Sequence, residues 1–311
     1  MSYKPVDGSG GTGGGGGVRD AEGAKYFAEA EKTLKVKSSW MKNLVGLGDD
    51  TRYESAAQLF VKAANAYKLG KSWKKAGESF VKAADCYSQT PSGTYDAATK
   101  YMDAAKAFKN GHVPLAISSM EKALAIYEDL GRFSQCAKIN KELAEIYEST
   151  DETDKAIERY TLAVDFYEGE DAKSNANSCR VKIAELSALA EKYPQAIELY
   201  ESVAQAALDS NLLRYGAKEH LLRAGMCHLC LGDDVGASRA LQRYSEIDPS
   251  FRGSREHKLL QGIVEAVENG DVEAFTNAVY EFDSIATLDP WKTKILLRIK
   301  NGLKSNEEDL T

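Results

Sequence analysis

The sequence is poor in the residues that cross-link small proteins or bind metal ions. It has five cysteines and four histidines among 311 residues. An odd cysteine count, in a chain large enough to bury its own core, indicates reduced and buried thiols rather than a disulfide framework. Cys227, His228 and Cys230 have the spacing of a metal site, but no second pair of ligands follows, so we interpret them as helical core residues. We therefore predict no metal ion.

Long apolar runs are absent as well. No stretch approaches the roughly 20 apolar residues that a transmembrane helix needs, and the glycine-rich start lacks the basic and apolar regions of a signal peptide. Both observations predict a cytoplasmic protein. The net charge of −7 argues against binding nucleic acid over the whole surface, so any basic patch must be local.

Motifs of catalysis are missing too. The glycine run at 8–17 is not followed by Lys-Ser or Lys-Thr, so it does not match a phosphate-binding loop. The four histidines have no nucleophile or carboxylate at motif spacing. We predict that the protein is not an enzyme and uses no cofactor.

What the sequence does contain is a repeated helical pattern. An alanine or cysteine is followed four residues later by a large residue, then by a small or apolar residue, then by an aromatic residue. The pattern occurs at Ala56–Phe60–Ala63–Tyr67, Ala76–Phe80–Ala83–Tyr87, Ala97–Tyr101–Ala104–Phe108, Ala116–Met120–Ala123–Tyr127, Cys136–Asn140–Leu143–Tyr147 and Ala156–Tyr160–Ala163–Tyr167, and less completely at Ala196–Tyr200–Val203 and Ala237–Leu241–Tyr244. These offsets place the members on one face of a helix, and starts about every 20 residues predict a helical hairpin about every 40.

The ends of these helices and the fold class follow from the same pattern. The predicted C-terminal caps are Gly70, Gly111, Gly131 and Gly169, and the predicted N-terminal caps are Ser92, Asp151, Thr153 and Asp154. No segment has the pattern of a β-strand. We predict an all-α fold, a TPR-like array of antiparallel helical hairpins forming a twisted helical sheet, with a small C-terminal helical bundle.

The predicted domain organisation has four parts. They are a flexible glycine-rich head at 1–19, the hairpin array at 20–248 with an apolar loop at 38–50, the helical bundle at 249–303, and an acidic tail at 304–311. The first helix is predicted from Asp20 to Lys37, and three or four helices are predicted after Pro249.

Several segments resemble the alpha-type soluble NSF attachment proteins. They are "NAYKLGKSWKKAGESFVKAA", "AIYEDLGRFSQCAK", "DKAIERYTLAVDFYEGE", "DSNLLRYGAKEHLLRAGMCHLCLGD", "LDPWKTKILLRIK" and the terminal "EEDL". The resemblance covers about residues 20–311 and excludes the glycine-rich head. It implies an adaptor that binds SNARE complexes and recruits and stimulates the ATPase NSF, so that SNAREs are disassembled during vesicle trafficking and membrane fusion.

The resemblance also implies a basic surface that faces the acidic SNARE four-helix bundle. The matching positions are Lys71, Lys109, Arg132, Lys138, Lys182, Lys218, Arg255 and the apolar Leu212. Ser178 stands where the family has a contact lysine, and Arg180 is two residues away, which points elsewhere on a helix. We expect that contact to be weakened or replaced.

At the other end, the resemblance implies that carboxylates bind the NSF hexamer and that the penultimate leucine stimulates ATP hydrolysis. The matching positions are Asp233, Glu265, Glu268, Glu307, Glu308, Asp309 and Leu310, with Asp234 as an alternative to Asp233.

The loop at 38–50 carries apolar residues that fit no repeat. They are Trp40, Met41, Leu44, Val45 and Leu47. One reading is a loop folded onto its own helices. The family resemblance implies instead a loop that dips into the membrane, where Trp suits the headgroup boundary and Lys42 meets anionic lipid. That reading predicts a cytoplasmic protein that associates peripherally with membranes.

Two alternatives remain open at this point. A generic TPR-like scaffold would capture peptides in a concave groove, but it would need neither the apolar loop nor the EEDL end. A divergent enzyme would need a nucleophile or an acid/base pair, and the sequence shows no such constellation.

Overall fold

The computed structural model describes residues 15–35 and 49–309, and the side chains of 16–35 and 50–304. Within these ranges the chain forms fourteen α-helices and no strand. They are α1 (Gly15–Lys35), α2 (Asp49–Leu69), α3 (Trp73–Tyr87), α4 (Thr94–Phe108), α5 (Val113–Asp129), α6 (Phe133–Ser149), α7 (Thr153–Gly169), α8 (Lys173–Leu189), α9 (Tyr193–Leu208), α10 (Ala217–Cys230), α11 (Asp234–Ile247), α12 (Arg255–Glu268), α13 (Val272–Ile285) and α14 (Pro290–Asp309). A short 3₁₀ turn, Arg214–Gly216, precedes α10. The predicted all-α class is confirmed.

The chain divides into two compact units, Met1–Ile146 and Tyr147–Thr311. In the first unit each helix from α1 to α5 packs against the next one along the chain. In the second unit α7 to α11 are packed in the same sequential way, which confirms the TPR-like hairpin array, and α14 packs against α8, α10 and α13.

Helix α1 begins at Gly15, five residues before the predicted start at Asp20. Glycine is a poor helix former, so local propensity does not explain this extension. A tertiary contact holds this end of the helix, because Asp20 accepts hydrogen bonds from Ser72 Oγ at 2.7 Å and from Lys75 Nζ at 3.0 Å.

The repeated pattern forms the core of the array. Every member of the eight sets is buried except Tyr87 and Leu241, which are half-buried. The small residues let neighbouring backbones approach closely. At Gly77, a Cβ atom would lie 2.4 Å from the ring of Phe108, so this position admits no side chain without movement of that ring.

Buried tyrosines of the pattern also bond to carboxylates of the preceding hairpin helices. Tyr101 donates to Asp85 at 2.6 Å, and Tyr160 donates to Glu148 at 2.9 Å. The hydroxyl is therefore satisfied while the ring fills the space between helices.

Left-handed residues end the hairpin helices at a regular spacing. Residues with φ between 54° and 105° occur at Lys71, Gly111, Gly131, Asp151, Asp171 and Glu191. At Gly131 the N–H of Arg132 bonds to Tyr127 O and the N–H of Gly131 bonds to Glu128 O, which is a Schellman motif closed on the aromatic residue of the pattern.

Two of the four predicted glycine caps are wrong. After Tyr67 and Tyr167 the left-handed residue is the fourth one along the chain, so Lys71 and Asp171 occupy that position instead of Gly70 and Gly169. Gly111 and Gly131 are confirmed.

The predicted N-terminal caps of the array are also wrong. Glu152 precedes α7 and Gly93 precedes α4, and neither provides a side-chain cap. Asp151 is instead the left-handed residue of its turn, and the Ser92 hydroxyl lies 3.4 Å from Glu54.

The described cysteines are reduced thiols that form no disulfide, as predicted. Cys86, Cys136, Cys179 and Cys227 are buried, and Cys230 is half-buried. Burial raises the pKa of the Cys230 thiol to about 11, so it is protonated at neutral pH. Among the residues that the structure describes, no group of three potential metal ligands comes together.

Candidate functional site

Two predicted SNARE-contact lysines lie at one edge of the first unit. Lys71 is exposed in the left-handed position after α2, and Lys109 follows the last residue of α4. Because α2 and α4 are alternate helices of an antiparallel array, their C-terminal ends face the same edge. The Lys109 ammonium is 2.6 Å from a carboxylate oxygen of Glu142, so part of its charge is already paired.

Lys138 and Arg132 extend this surface along α6. Lys138 is exposed, and Glu142 follows it by one helical turn, so both project from the same side of the helix. Lys109, Glu142 and Lys138 therefore lie together. Arg132 is exposed in the turn before α6, nearer the helix N-terminus.

In the second unit, Lys182 is held between two carboxylates. Its ammonium is 3.1 Å from Glu148 and 3.4 Å from Glu185. Burial opposes the charged form of Lys182, but the hydrogen bond to Glu148 and the charge of Glu185 outweigh that burial and raise its pKa. Lys182 is therefore charged at neutral pH and already has partners.

Arg180 does not replace the missing lysine at Ser178. Ser178 is exposed on α8, one turn before Lys182, whereas the Arg180 guanidinium bonds to Glu168 of α7 and, at 2.9 Å, to Asn177. The arginine charge is thus directed toward the neighbouring helix, as the two-residue offset predicts.

The other predicted contacts of the second unit lie on α10, on α12 and in the connection before α10. Arg255 is exposed and lies 2.8 Å from Glu256, and Lys218 is half-buried on α10. Leu212 has 87% of its surface exposed, and Tyr215 in the same connection has 83%. Two such large side chains left in water mark this connection as a candidate contact surface.

Three of the predicted NSF-contact carboxylates lie close together. Asp233 caps α11 by accepting the Gly236 N–H at 2.9 Å, and Glu268, near the end of α12, accepts from the Ser238 hydroxyl of α11. Glu265 is exposed one turn before Glu268. Burial and the charges of Glu268 and Asp233 raise the pKa of Asp234, which places Asp234 in the same acidic group.

The remaining acidic positions lie at the end of α14. The backbone of Glu307, Glu308 and Asp309 is helical, and Leu310 lies outside the described residues. Carboxylates at a helix C-terminus oppose the helix dipole, so helix stability does not account for them.

A buried ionic cluster fixes α14 in the second unit. The Arg223 guanidinium lies 2.6 Å from Glu185, 2.8 Å from Glu219 and 3.0 Å from Asp289. Lys292, almost fully buried, lies 2.6 Å from Glu219 and 2.9 Å from Asp289. Burial alone would raise the pKa of Glu219, but hydrogen bonds from Lys292 and Arg223 outweigh it and hold the pKa below its usual range.

Arg298 makes a second attachment of the same helix. Its guanidinium donates to Ala188 O at 2.8 Å and to Leu189 O at 2.7 Å, which are carbonyls of the last turn of α8. The contacts of Arg298 could not be predicted from the sequence, since its partners lie more than 100 residues away along the chain. The start of α14 did have a local signal in the sequence, because Asp289 is followed by Pro290 and proline is favoured at the first position of a helix.

The apolar loop residues Trp40, Met41, Leu44, Val45 and Leu47 lie outside the described residues. Within the described ranges, no helix is both long enough and apolar enough to cross a membrane.

A stack of helical hairpins with charged and apolar contact positions on its surface is the architecture of an adaptor protein. A family model described as "Soluble NSF attachment protein, SNAP" matches residues 21–304. The chain belongs to this family, and the prediction that it is an adaptor rather than an enzyme is confirmed.

Relatives match along nearly the whole chain. The alpha-soluble NSF attachment protein of Vitis vinifera is 43% identical over 93% of this chain and 98% of the relative. That of Homo sapiens is 41% identical over 94% and 98%. That of Dictyostelium discoideum is 44% identical over 94% and 99%.

Proposed function

We propose that the protein binds a SNARE four-helix bundle and presents it to the NSF hexamer, which supplies the ATP hydrolysis that separates the SNAREs. Family membership along residues 21–304 carries this proposal. The adaptor performs no covalent step. Its contribution is to hold the bundle and the ATPase together, in vesicle trafficking and membrane fusion.

The SNARE surface has a part in each unit, with Lys71, Lys109, Arg132 and Lys138 in the first and Lys182, Lys218, Arg255 and Leu212 in the second. Exposed lysines and arginines attract an acidic bundle over long distances and tolerate variation in its surface sequence. The ion pairs of Lys109 and Lys182 do not block this role. A partly exposed ion pair is worth about 0–1 kcal/mol, so the ammonium exchanges one carboxylate for another at little cost.

Leu212 adds an apolar contact to this charged surface. Because Leu212 is 87% exposed, covering it with a partner stabilises the complex by about 25 cal/mol per Å² of apolar area buried. Tyr215 is exposed beside it in the same connection and joins this contact.

The NSF surface consists of Asp233, Glu265, Glu268, Glu307, Glu308, Asp309 and Leu310. Support comes from the grouping of Asp233, Asp234 and Glu268, whose mutual repulsion is relieved by a basic partner. The buried ionic cluster of Arg223 fixes α14, and with it the direction in which the acidic end leaves the second unit.

The loop residues Trp40, Met41, Leu44, Val45 and Leu47 contact membrane lipid in this proposal. Such a small apolar group binds a bilayer weakly and reversibly, but it raises the effective concentration of the adaptor at membrane-anchored SNAREs.

The test is a pull-down of a SNARE complex with the purified protein, followed by NSF and ATP. We expect capture of NSF and release of the individual SNAREs. Lys138→Glu should weaken SNARE recovery, whereas Lys62→Glu, an exposed lysine outside the surface, should leave it unchanged. Failure of the wild-type protein to bridge SNAREs and NSF would overturn the proposal.

Two further variants separate the ends of the molecule. Deletion of Leu310 should leave SNARE recovery intact and lower the NSF ATPase rate. Replacement of Trp40, Met41 and Leu44 by Ser should slow disassembly in liposomes but not of soluble SNAREs. Equal slowing of both substrates would make the loop structural.

A further inference from the structure

A concave pocket lies in the first unit between α2, α3 and α4. Its volume is about 340 Å³, which is within the size range of small-ligand sites. Three lysines and two asparagines line it together with apolar side chains, and all of these residues belong to the same compact unit. None of them is among the predicted contacts for SNAREs, NSF or membrane.

The charge of the lining is positive. Lys68, Lys100 and Lys106 contribute three ammonium groups, and Asp103 contributes the one carboxylate. Asp103 is shared, because it lies 2.8 Å from the Lys100 ammonium and 3.9 Å from that of Lys106. One anion cannot neutralise three cations, so an excess of two positive charges remains.

Further N–H donors line the same pocket. They belong to Lys68, Asn65 and the Trp73 indole. A phosphate monoester carries a charge of about −1.5 to −2 at neutral pH and three acceptor oxygens. Its charge and its acceptor number match this lining better than those of a single carboxylate.

The remaining walls are apolar. Val61, Phe80 and Ala107 line the pocket beside the charged groups, and Trp73 is half-buried. A ligand that fits therefore combines a phosphate with a compact ring or carbon frame. The Lys100 side chain is only 22% exposed, and its ammonium lies 6.0 Å from the centre of the Phe80 ring and 2.8 Å from Asp103, which hold it beside such a ligand.

We propose that this pocket binds a phosphorylated small molecule, with the phosphate between Lys68 and Lys106 and the carbon frame against Trp73. The phosphate monoester belongs either to a soluble inositol phosphate or to the headgroup of a phosphoinositide, since both present the same chemistry. This site is independent of the SNARE and NSF surfaces.

The test is isothermal titration calorimetry with inositol 1,4,5-trisphosphate. We expect saturable binding of one ligand per chain, weakened about tenfold or more in Lys68→Gln/Lys106→Gln, which loses two charge-assisted contacts. The matched control is Lys62→Gln/Lys82→Gln, two exposed lysines of the same unit outside the pocket, which should bind as the wild type does. Equal weakening in the control would mean general attraction and would overturn the site.

A second variant guards against misfolding. Asn65→Asp places a negative charge in the pocket at an exposed position with no change in size, so it should abolish binding while the unfolding temperature stays unchanged. Wild-type affinity in this variant, or no binding of the ligand to the wild-type protein, would contradict the proposal. Binding of a phosphoserine peptide but not of the inositol phosphate would also overturn it.

Vesicles distinguish the two sources of phosphate. The vesicle arm uses the variant with Trp40, Met41 and Leu44 replaced by Ser, so that the apolar loop does not contribute. Recruitment to vesicles with phosphatidylinositol 4,5-bisphosphate, above those with phosphatidylserine of equal charge, supports the lipid headgroup. Binding of the soluble ligand without recruitment supports the soluble inositol phosphate as the occupant of the same site.

Discussion

The helices of the array as far as α9 and the helices α11 to α13 begin in different ways. At the starts of α3, α4, α5, α7, α8 and α9 no side chain caps the free N–H groups. At the starts of α11, α12 and α13, Asp233, Ser254 and Asp271 each accept a backbone N–H. Packing of the alanine and aromatic stripe holds the first group, whereas specific polar contacts position the second.

A similar contrast separates the turns of the array from the attachment of α14. The turns repeat one motif, in which a left-handed residue follows the pattern aromatic. Helix α14 is held by contacts that do not repeat along the chain, among them those of the charged groups of Arg223, Lys292 and Arg298. A repeated packing pattern builds a regular scaffold, and singular polar contacts fix the orientation of the end that we propose for NSF.

The largest expected effect comes from removing the centre of that attachment. Arg223→Met leaves Glu185, Glu219 and Asp289 in a partly buried group with one cation fewer. We expect the free energy of unfolding to fall by about 3–5 kcal/mol, measured by urea denaturation of the full chain. Arg239→Met, at an exposed position of α11, is the control and should change it by less than about 0.5 kcal/mol. A change below about 1 kcal/mol for Arg223→Met would show that packing alone holds α14.

The array should instead be sensitive to packing. Gly77→Ala places a methyl group against the Phe108 ring, so we expect a loss of about 1–3 kcal/mol in denaturant unfolding. Gly169→Ala, with nothing within 4 Å of the new Cβ, should be neutral or slightly stabilising. Equal effects at the two glycines would contradict the close packing of α3 and α4.

Capping gives a smaller difference between the regions. Asp271→Ala removes the side-chain acceptor of α13 and should cost about 1 kcal/mol. His112→Ala, at the corresponding position of α5, removes no cap bond and should change the free energy of unfolding by less than about 0.5 kcal/mol. Thermal unfolding of the two variants side by side checks this pair, and a larger loss in His112→Ala would reverse the comparison.

The smallest effect is expected at a left-handed turn residue. Asp171 has φ of 54°, where a non-glycine residue is strained and glycine is not. Asp171→Gly should raise the free energy of unfolding by about 0.5 kcal/mol, and Gly131→Ala, at φ of 63°, should lower it. Denaturant midpoints of both variants measure the pair, and destabilisation by Asp171→Gly would mean that the turn is not strained.

The array could be predicted from the sequence because its determinants are local. Apolar residues at offsets of four, three and four, such as the set that begins at Ala56, share one face only if the segment is helical. These residues are buried as predicted. The prediction of Gly70 as the left-handed cap is wrong for a physical reason. The N–H of Ser72 bonds to Tyr67 O, which makes Lys71 the left-handed residue, and Lys71 adopts this conformation although glycine would favour it.

The attachment of α14 could not be predicted, because it joins residues distant in the chain. Arg223 pairs with Asp289 across 66 residues, and neither side chain differs in the sequence from a solvated surface charge. The proximity of Asp234 to Glu268 could not be predicted for the same reason. The chain order separates Asp234 from Glu268, and only the packing of α11 against α12 brings them together.

The recruitment of NSF by the acidic group is tested most sharply by the double variant Asp233→Asn/Glu268→Gln of this protein, assayed in NSF-driven disassembly of a SNARE complex. We predict normal SNARE recovery in the pull-down but at least about tenfold less NSF captured, because two charged contacts are lost. Glu121→Gln/Glu145→Gln, on helices of the first unit, is the charge-matched control and should support wild-type disassembly. Normal disassembly with the Asp233→Asn/Glu268→Gln variant would contradict the claim that this acidic group of the second unit recruits the ATPase.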